Sequence, residues 1–84
     1  MFEVRISTKA EKQIKKIKKI YQAAILSALE ELREDPYVGK PLSKDLTGRF
    51  SYKISVYRII YKINQRDKVV NIISAGHRAT IYEK

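Results

Sequence analysis

The stretch that decides the fold is Phe50-Ser51-Tyr52-Lys53-Ile54-Ser55-Val56-Tyr57-Arg58-Ile59-Ile60-Tyr61-Lys62-Ile63. Phe50, Tyr52 and Ile54 alternate with Ser51 and Lys53; then Tyr57, Ile59, Tyr61 and Ile63 alternate with Arg58, Ile60 and Lys62. A period of two, rich in aromatic and β-branched residues, marks strands with one buried face. With Ser55-Val56 as a two-residue loop, Ile54 faces Tyr57, Lys53 faces Arg58, Tyr52 faces Ile59, Ser51 faces Ile60, Phe50 faces Tyr61 and Arg49 faces Lys62. Because side chains alternate across a strand, the apolar set forms a core face. The opposite face collects Arg49, Ser51, Lys53, Arg58, Ile60 and Lys62, four cations without a carboxylate. Like charges directly opposite destabilise a strand pair, by something on the order of 0.2–1 kcal/mol. Such a conflict is expected where function overrules stability, and a phosphate between Lys53 and Arg58 resolves it.

Outward from the hairpin, Asn64 to Asp67 reads as a polar turn and Lys68 to Ala75 as an apolar run suited to a central strand. If parity holds, Ala75 falls opposite Val56, which brings His77 and Arg78 to the Lys53 and Arg58 end of the sheet. Gly76 permits close approach of a ligand there, His77 offers a titratable imidazole and Arg78 a fixed phosphate fork. Toward the N-terminus, Pro36 to Gly48 holds both prolines and two of the three glycines and reads as a connector. Before it, Ala10, Ile14, Ile17, Tyr21, Ile25, Ala28 and Leu32 form one apolar helical stripe, with Thr8 and Glu11 spaced as a capping box. Periodicity does not separate one long helix from two, because no Gly or Pro interrupts it. Asp35-Pro36 ends it. Phe2, Val4 and Ile6 alternate with Glu3, Arg5 and Ser7, the pattern of a first strand. The expectation is an α+β fold: an antiparallel sheet of about four strands backed by N-terminal helix.

Composition bounds the chemistry. The 84 residues carry 18 Lys and Arg against 9 Asp and Glu, a formal net charge of +9, with one His and no Cys. A chain this short is expected to be a single domain spanning residues 1–84. Without cysteine there is no disulfide scaffold, zinc ribbon or thiol nucleophile, and one His cannot make a histidine-rich metal site. The hydrophobic fraction of 44% is that of a folding chain. No apolar run approaches a membrane span and the first residues lack a signal-peptide stretch, so a cytoplasmic protein is expected. The charge is uneven: seven basic residues lie between Arg5 and Lys19 against Glu11 alone, and nine between Pro36 and Tyr82 against Asp45 and Asp67. Between them sits an acidic knuckle of Glu30, Glu31, Glu34 and Asp35. This surplus points to a polyanionic partner.

Leu46-Thr47-Gly48, Phe50-Ser51-Tyr52-Lys53, Tyr57-Arg58-Ile59-Ile60-Tyr61 and Gly76-His77-Arg78 with Tyr82 resemble the RelE/ParE superfamily of toxin–antitoxin toxins across nearly the whole chain. The resemblance implies the order β-α-α-β-β-β, with the helical stripe breaking near Lys18 to Tyr21 into a hairpin. It implies the toxin of a type II module that inhibits translation as a ribosome-dependent mRNA endonuclease (an mRNA interferase), needing no metal or other cofactor. In that reaction the ribose 2′-hydroxyl attacks the adjacent phosphate, so a proton must leave, the phosphorane must be neutralised and the 5′-oxygen must depart. By resemblance, Lys53 is the base or charge stabiliser, Arg58 binds the scissile phosphate, Arg78 serves the leaving group and Tyr82 orients or stacks the nucleotide. His77 is a candidate acid or base, and Arg49, Ser51 and Lys62 are candidate RNA or phosphate contacts. Ser51 stands where RelE has a second lysine, a charge that Arg49 or Lys62 would have to replace. The implied partners are the ribosome and mRNA, and a RelB-like, acidic, partly disordered antitoxin that folds on binding; no membrane is involved. The alternative is a ParE-like toxin that is not a nuclease and inhibits DNA gyrase by protein contact.

Overall fold

The computed structural model describes residues 1–77. The order is β1 (Glu3–Ile6), α1 (Thr8–Lys15), α2 (Lys19–Glu34), β2 (Lys40–Pro41), β3 (Phe50–Ile54), β4 (Tyr57–Asn64) and β5 (Val69–His77), with single 3-10 turns at Pro36–Val38 and Lys44–Leu46. The five strands form one sheet ordered β1-β5-β4-β3-β2. The α+β class and the helical hairpin stand as expected. Two features differ: β1 pairs with β5 in parallel, Val4 opposite Val70 and Ile6 opposite Ile72, and a short β2 lies inside the expected connector.

The helix pair is made by side chains that periodicity does not reveal. Ser7, not Thr8, caps α1: its Oγ accepts from the Ala10 N–H at 3.0 Å and donates to the Ile73 carbonyl at 2.9 Å. The stripe breaks at Lys16 to Lys18, slightly before the expected place, because Lys18 adopts an extended ψ of 142°. Gln22 secures the corner, its Nε2 donating to the carbonyls of Ile17 at 2.7 Å and Ile14 at 3.2 Å, the latter also accepting from the Ile17 N–H at 3.0 Å. Where β1 stops, α1 takes over the exposed edge of β5, with Gln13 Oε1 accepting from the Ala75 N–H at 2.8 Å.

Both helices cover one face of the sheet. Ala10, Ile17, Ile25, Ala28, Leu29 and Leu32 pack with Ile59, Tyr61, Val70, Ile72 and Ala75, while Phe50, Tyr52, Ile54, Tyr57 and Ile63 line the margin. This is the apolar face read from the hairpin. At its centre Tyr61 is fully buried and stacks on Phe50 at 5.6 Å. Its hydroxyl donates to the Pro36 carbonyl at 2.7 Å, fastening the segment after α2 to β4. Gly39 lies against the same ring: a Cβ there would stand 2.0 Å from the Tyr61 oxygen and 3.1 Å from the Ser51 carbonyl. Its φ of −74° is open to any residue, so the glycine is required for space. Burial pushes the Tyr61 hydroxyl up to about 12 from the ordinary 10.0. Tyr52, at the margin, donates to the Glu31 carboxylate, which likewise raises its pKa and ties β3 to α2.

Gly39→Ala is expected to lower stability by about 1–3 kcal/mol through overpacking. Combined with Tyr61→Phe the loss will be less than additive, because removing the hydroxyl opens the space the methyl needs; denaturant unfolding of the four variants checks this. Alkaline stability follows from the raised Tyr61 pKa. Between pH 10 and 12 the unfolded chain releases this proton while the folded one keeps it, so stability present below pH 10 falls as pH rises, by about 1–3 kcal/mol at most. Tyr61→Phe will flatten that part of the pH–stability curve and leave the weaker slope of Tyr52.

Candidate nucleic-acid interface

The register of β3 and β4 is the one the alternation dictates. Phe50 pairs with Tyr61, Ser51 with Ile60, Tyr52 with Ile59, Lys53 with Arg58 and Ile54 with Tyr57. The two-residue loop leaves Ser55 at a φ of 57°, a left-handed conformation that is unfavourable for a non-glycine residue. The expected pairing of Ala75 with Val56 is corrected: Ala75 lies opposite Ile59, Gly76 opposite Arg58 and His77 opposite Tyr57. Two things shift it. Strand β4 runs through Asn64, pairing with Val69 across a four-residue turn, and the register slips by one between Ile60 and Tyr61, leaving Ile73 as an extra residue.

The outer face, away from the helices, therefore presents two transverse rows. In one, Lys53, Arg58 and Gly76 lie side by side on β3, β4 and β5. Lys53 is exposed, Arg58 half-buried, and the residue flanking Arg58 on β5 has no side chain to obstruct an approaching group. In the other row Ser51, Ile60 and Ser74 are all buried. The rows are joined by a hydrogen bond in which Arg58 Nη1 donates to Ser51 Oγ at 3.2 Å. Ser51 is thus an acceptor that helps orient the guanidinium, 2% exposed, and is not a surface contact in this structure. Arg49 precedes β3, where its carbonyl accepts from the Leu42 N–H at 2.8 Å, and exposed Lys62 lies beside Asn71 at the far end of the face.

His77 is placed differently. Opposite Tyr57, it falls on the helix side of the sheet, where its ring meets Tyr57 edge-on at 6.1 Å, and Tyr57 in turn meets Tyr21 at 5.2 Å. It shares the sheet end with Arg58 but not the face. Arg78 and Tyr82 lie outside the described residues. One cation was missed in the sequence: Lys40, on β2, pairs directly with Ser51 and so shares the outer face. No local signal marks it, because β2 is two residues long and sits in a segment rich in Pro and Gly.

Among the described residues, the outer faces of β2, β3 and β4 thus hold Lys40, Lys53, Arg58 and Lys62 and no carboxylate, a surface for a polyanion. Residues 4–82 match the family model of the ParE toxin of the type II toxin–antitoxin system parDE. The chain belongs to the RelE/ParE family of type II toxins. It is 35% identical to Toxin RelG of Mycobacterium tuberculosis (strain ATCC 25618 / H37Rv) over 85 residues, 99% of this chain and 98% of that protein. Among solved structures, the toxin–antitoxin complex RelBE2 of M. tuberculosis matches with a TM-score of 0.86 at 33% identity, over 92% of this chain and 98% of that one. The isolated E. coli RelE toxin shares the fold, with a TM-score of 0.79 at 22% identity, over 92% of this chain and 84% of that one. Among the described residues of this family member no helix is long and apolar enough to cross a membrane.

Proposed function

We propose that this toxin is a ribosome-dependent mRNA endonuclease whose reaction takes place on the outer face of the β3–β4 hairpin. The observation that carries the reading is Lys53 directly opposite Arg58 on strands whose outer faces bear no carboxylate among the described residues, with Ser51 orienting the guanidinium. Two cations held together against their own repulsion are preorganised for charge that develops in the transition state. In this scheme the 2′-hydroxyl attacks the adjacent phosphorus, the bond to the 5′-oxygen breaks, and a 2′,3′-cyclic phosphate and a free 5′-hydroxyl result. Arg58 holds the scissile phosphate; Lys53 as the ammonium neutralises the phosphorane while water takes the 2′-hydroxyl proton, or as the neutral amine takes that proton itself, and one proton is delivered to the 5′-oxygen as it departs. Arg78 serves the departing 5′-oxygen, Tyr82 stacks the nucleotide, and Arg49 and Lys62 hold flanking phosphates. His77, at the same end of the sheet but on its helix side, would serve the reaction only through water that passes round the rim. The solved RelBE2 and E. coli RelBE relatives are toxin–antitoxin complexes. By the same token a RelB-like antitoxin, acidic and partly disordered, neutralises this toxin in the cytoplasm.

The test is primer extension on mRNA in a translation extract after toxin addition. Wild-type toxin will generate new 5′ ends, and Lys53→Ala with Arg58→Ala will reduce them by at least ~100-fold, the scale seen on losing one transition-state donor. Denaturant unfolding of the double variant will stay within about 1 kcal/mol of wild type, because the facing charges that repel are removed together. Absence of new 5′ ends with wild-type toxin overturns the nuclease reading; gyrase-trapped DNA breaks in its place would establish the ParE-like one.

A further inference from the structure

We infer that Lys40 is a further phosphate-binding residue of the RNA site, contacting the phosphodiester next to the one held by Arg58. The inference rests on the RNA reading above and adds to it a residue from outside the hairpin. Directly opposed residues of an antiparallel pair project from the same face, so Lys40, opposite Ser51, projects from the face that carries Lys53 and Arg58. The pairing is maintained beyond the two-residue strand, since the Leu42 N–H donates to the Arg49 carbonyl at 2.8 Å in the same register. Lys40 is exposed, and among the described residues no carboxylate forms an ion pair with it. Its backbone is held from behind: Gly39 abuts the Tyr61 ring, whose hydroxyl donates to the Pro36 carbonyl.

The spacing suits a nucleic-acid strand. Lys40 and Arg58 stand two strands apart and two residues out of line, about 12 Å between their Cα atoms, with Lys53 diagonal to Lys40 at about 7–8 Å. Ser51 between them is buried and contributes a hydroxyl rather than a charge, so the exposed cation nearest its position on the β2 side is Lys40. The three cations bracket a patch across which a single-stranded backbone can lay successive phosphates. A flexible ammonium suits a flanking phosphate, while the planar guanidinium suits the one that must be fixed.

Binding is read with a fluorescein-labelled 2′-O-methyl RNA dodecamer, which lacks the attacking hydroxyl and is not consumed, by fluorescence anisotropy across a range of salt concentrations. Lys40→Gln is expected to weaken binding about 3–10-fold at low salt and to make the slope of log K against log salt shallower by ~0.7, the value of one single-strand phosphate contact. Lys40→Arg will bind within about twofold of wild type, because it keeps the charge. Lys9→Gln, an identical charge loss on exposed α1 behind the sheet, will leave the salt slope unchanged. If Arg58→Ala weakens binding while Lys40→Gln matches Lys9→Gln, the Lys40 assignment is overturned and the hairpin site stands. If neither Arg58→Ala nor Lys40→Gln weakens binding, the RNA face itself is overturned and Lys40 with it. Matching thermal melts of Lys40→Gln and wild type will show that the exposed substitution has not altered the fold.

Discussion

The Tyr61 hydroxyl, donated to the Pro36 carbonyl from the middle of the core, is the constraint on which the rest of this structure depends. An aromatic ring at the centre of a sheet contributes much apolar area, but its oxygen is costly to bury without a partner. Here the partner is the carbonyl of Pro36, two residues after the end of α2. The bond thereby ties the end of the helical layer to β4, and the chain then runs past the ring at Gly39, where no side chain fits, into β2. Asp35-Pro36 ends α2, and this buried hydrogen bond then fixes the segment that leads into β2, where Lys40 pairs with Ser51.

From that anchor, the parity of the strands divides the protein into two chemistries. Residues in step with Tyr61 face the helices and make the core; those out of step face away and include Lys53, Arg58 and Lys62, with Lys40 joining them from β2. A shift of one residue in the hairpin would bury the cations and expose the aromatics, so the tight loop at Ser55 guards the site as well as the fold. Ser51 shows how far the two are joined. It is buried like a core residue, yet its hydroxyl accepts from the guanidinium of Arg58.

What was legible in the sequence followed from local periodicity. Alternation over 50–63 gave the hairpin, its register and its two faces, because a two-residue loop leaves no freedom in pairing. The helix break was illegible by period, since the apolar stripe continues through Ile17 and the interruption depends on Gln22 reaching back to α1. The parallel contact of β1 with β5 and the pairing of Lys40 with Ser51 depend on long-range packing that no window of sequence contains. The extension of β4 through Asn64 and the extra residue at Ile73 together explain why parity counting misplaced the end of β5. His77 lies opposite Tyr57 on the helix side, at the end of the sheet near Arg58. The family resemblance supplied what periodicity lacked in the helices, but it passed over Lys40.

The division into a helical face and a phosphate face is tested most directly by mapping backbone amide chemical shifts of the ¹⁵N-labelled toxin during titration with an uncleavable 2′-O-methyl RNA. Perturbations are expected to cluster at Lys40, Ser51, Lys53, Arg58 and Gly76 and to leave the exposed side of α2, at Ala23, Ala24 and Ser27, unmoved. Perturbations concentrated on the helices, with the outer face of the β3–β4 hairpin silent, would contradict that division.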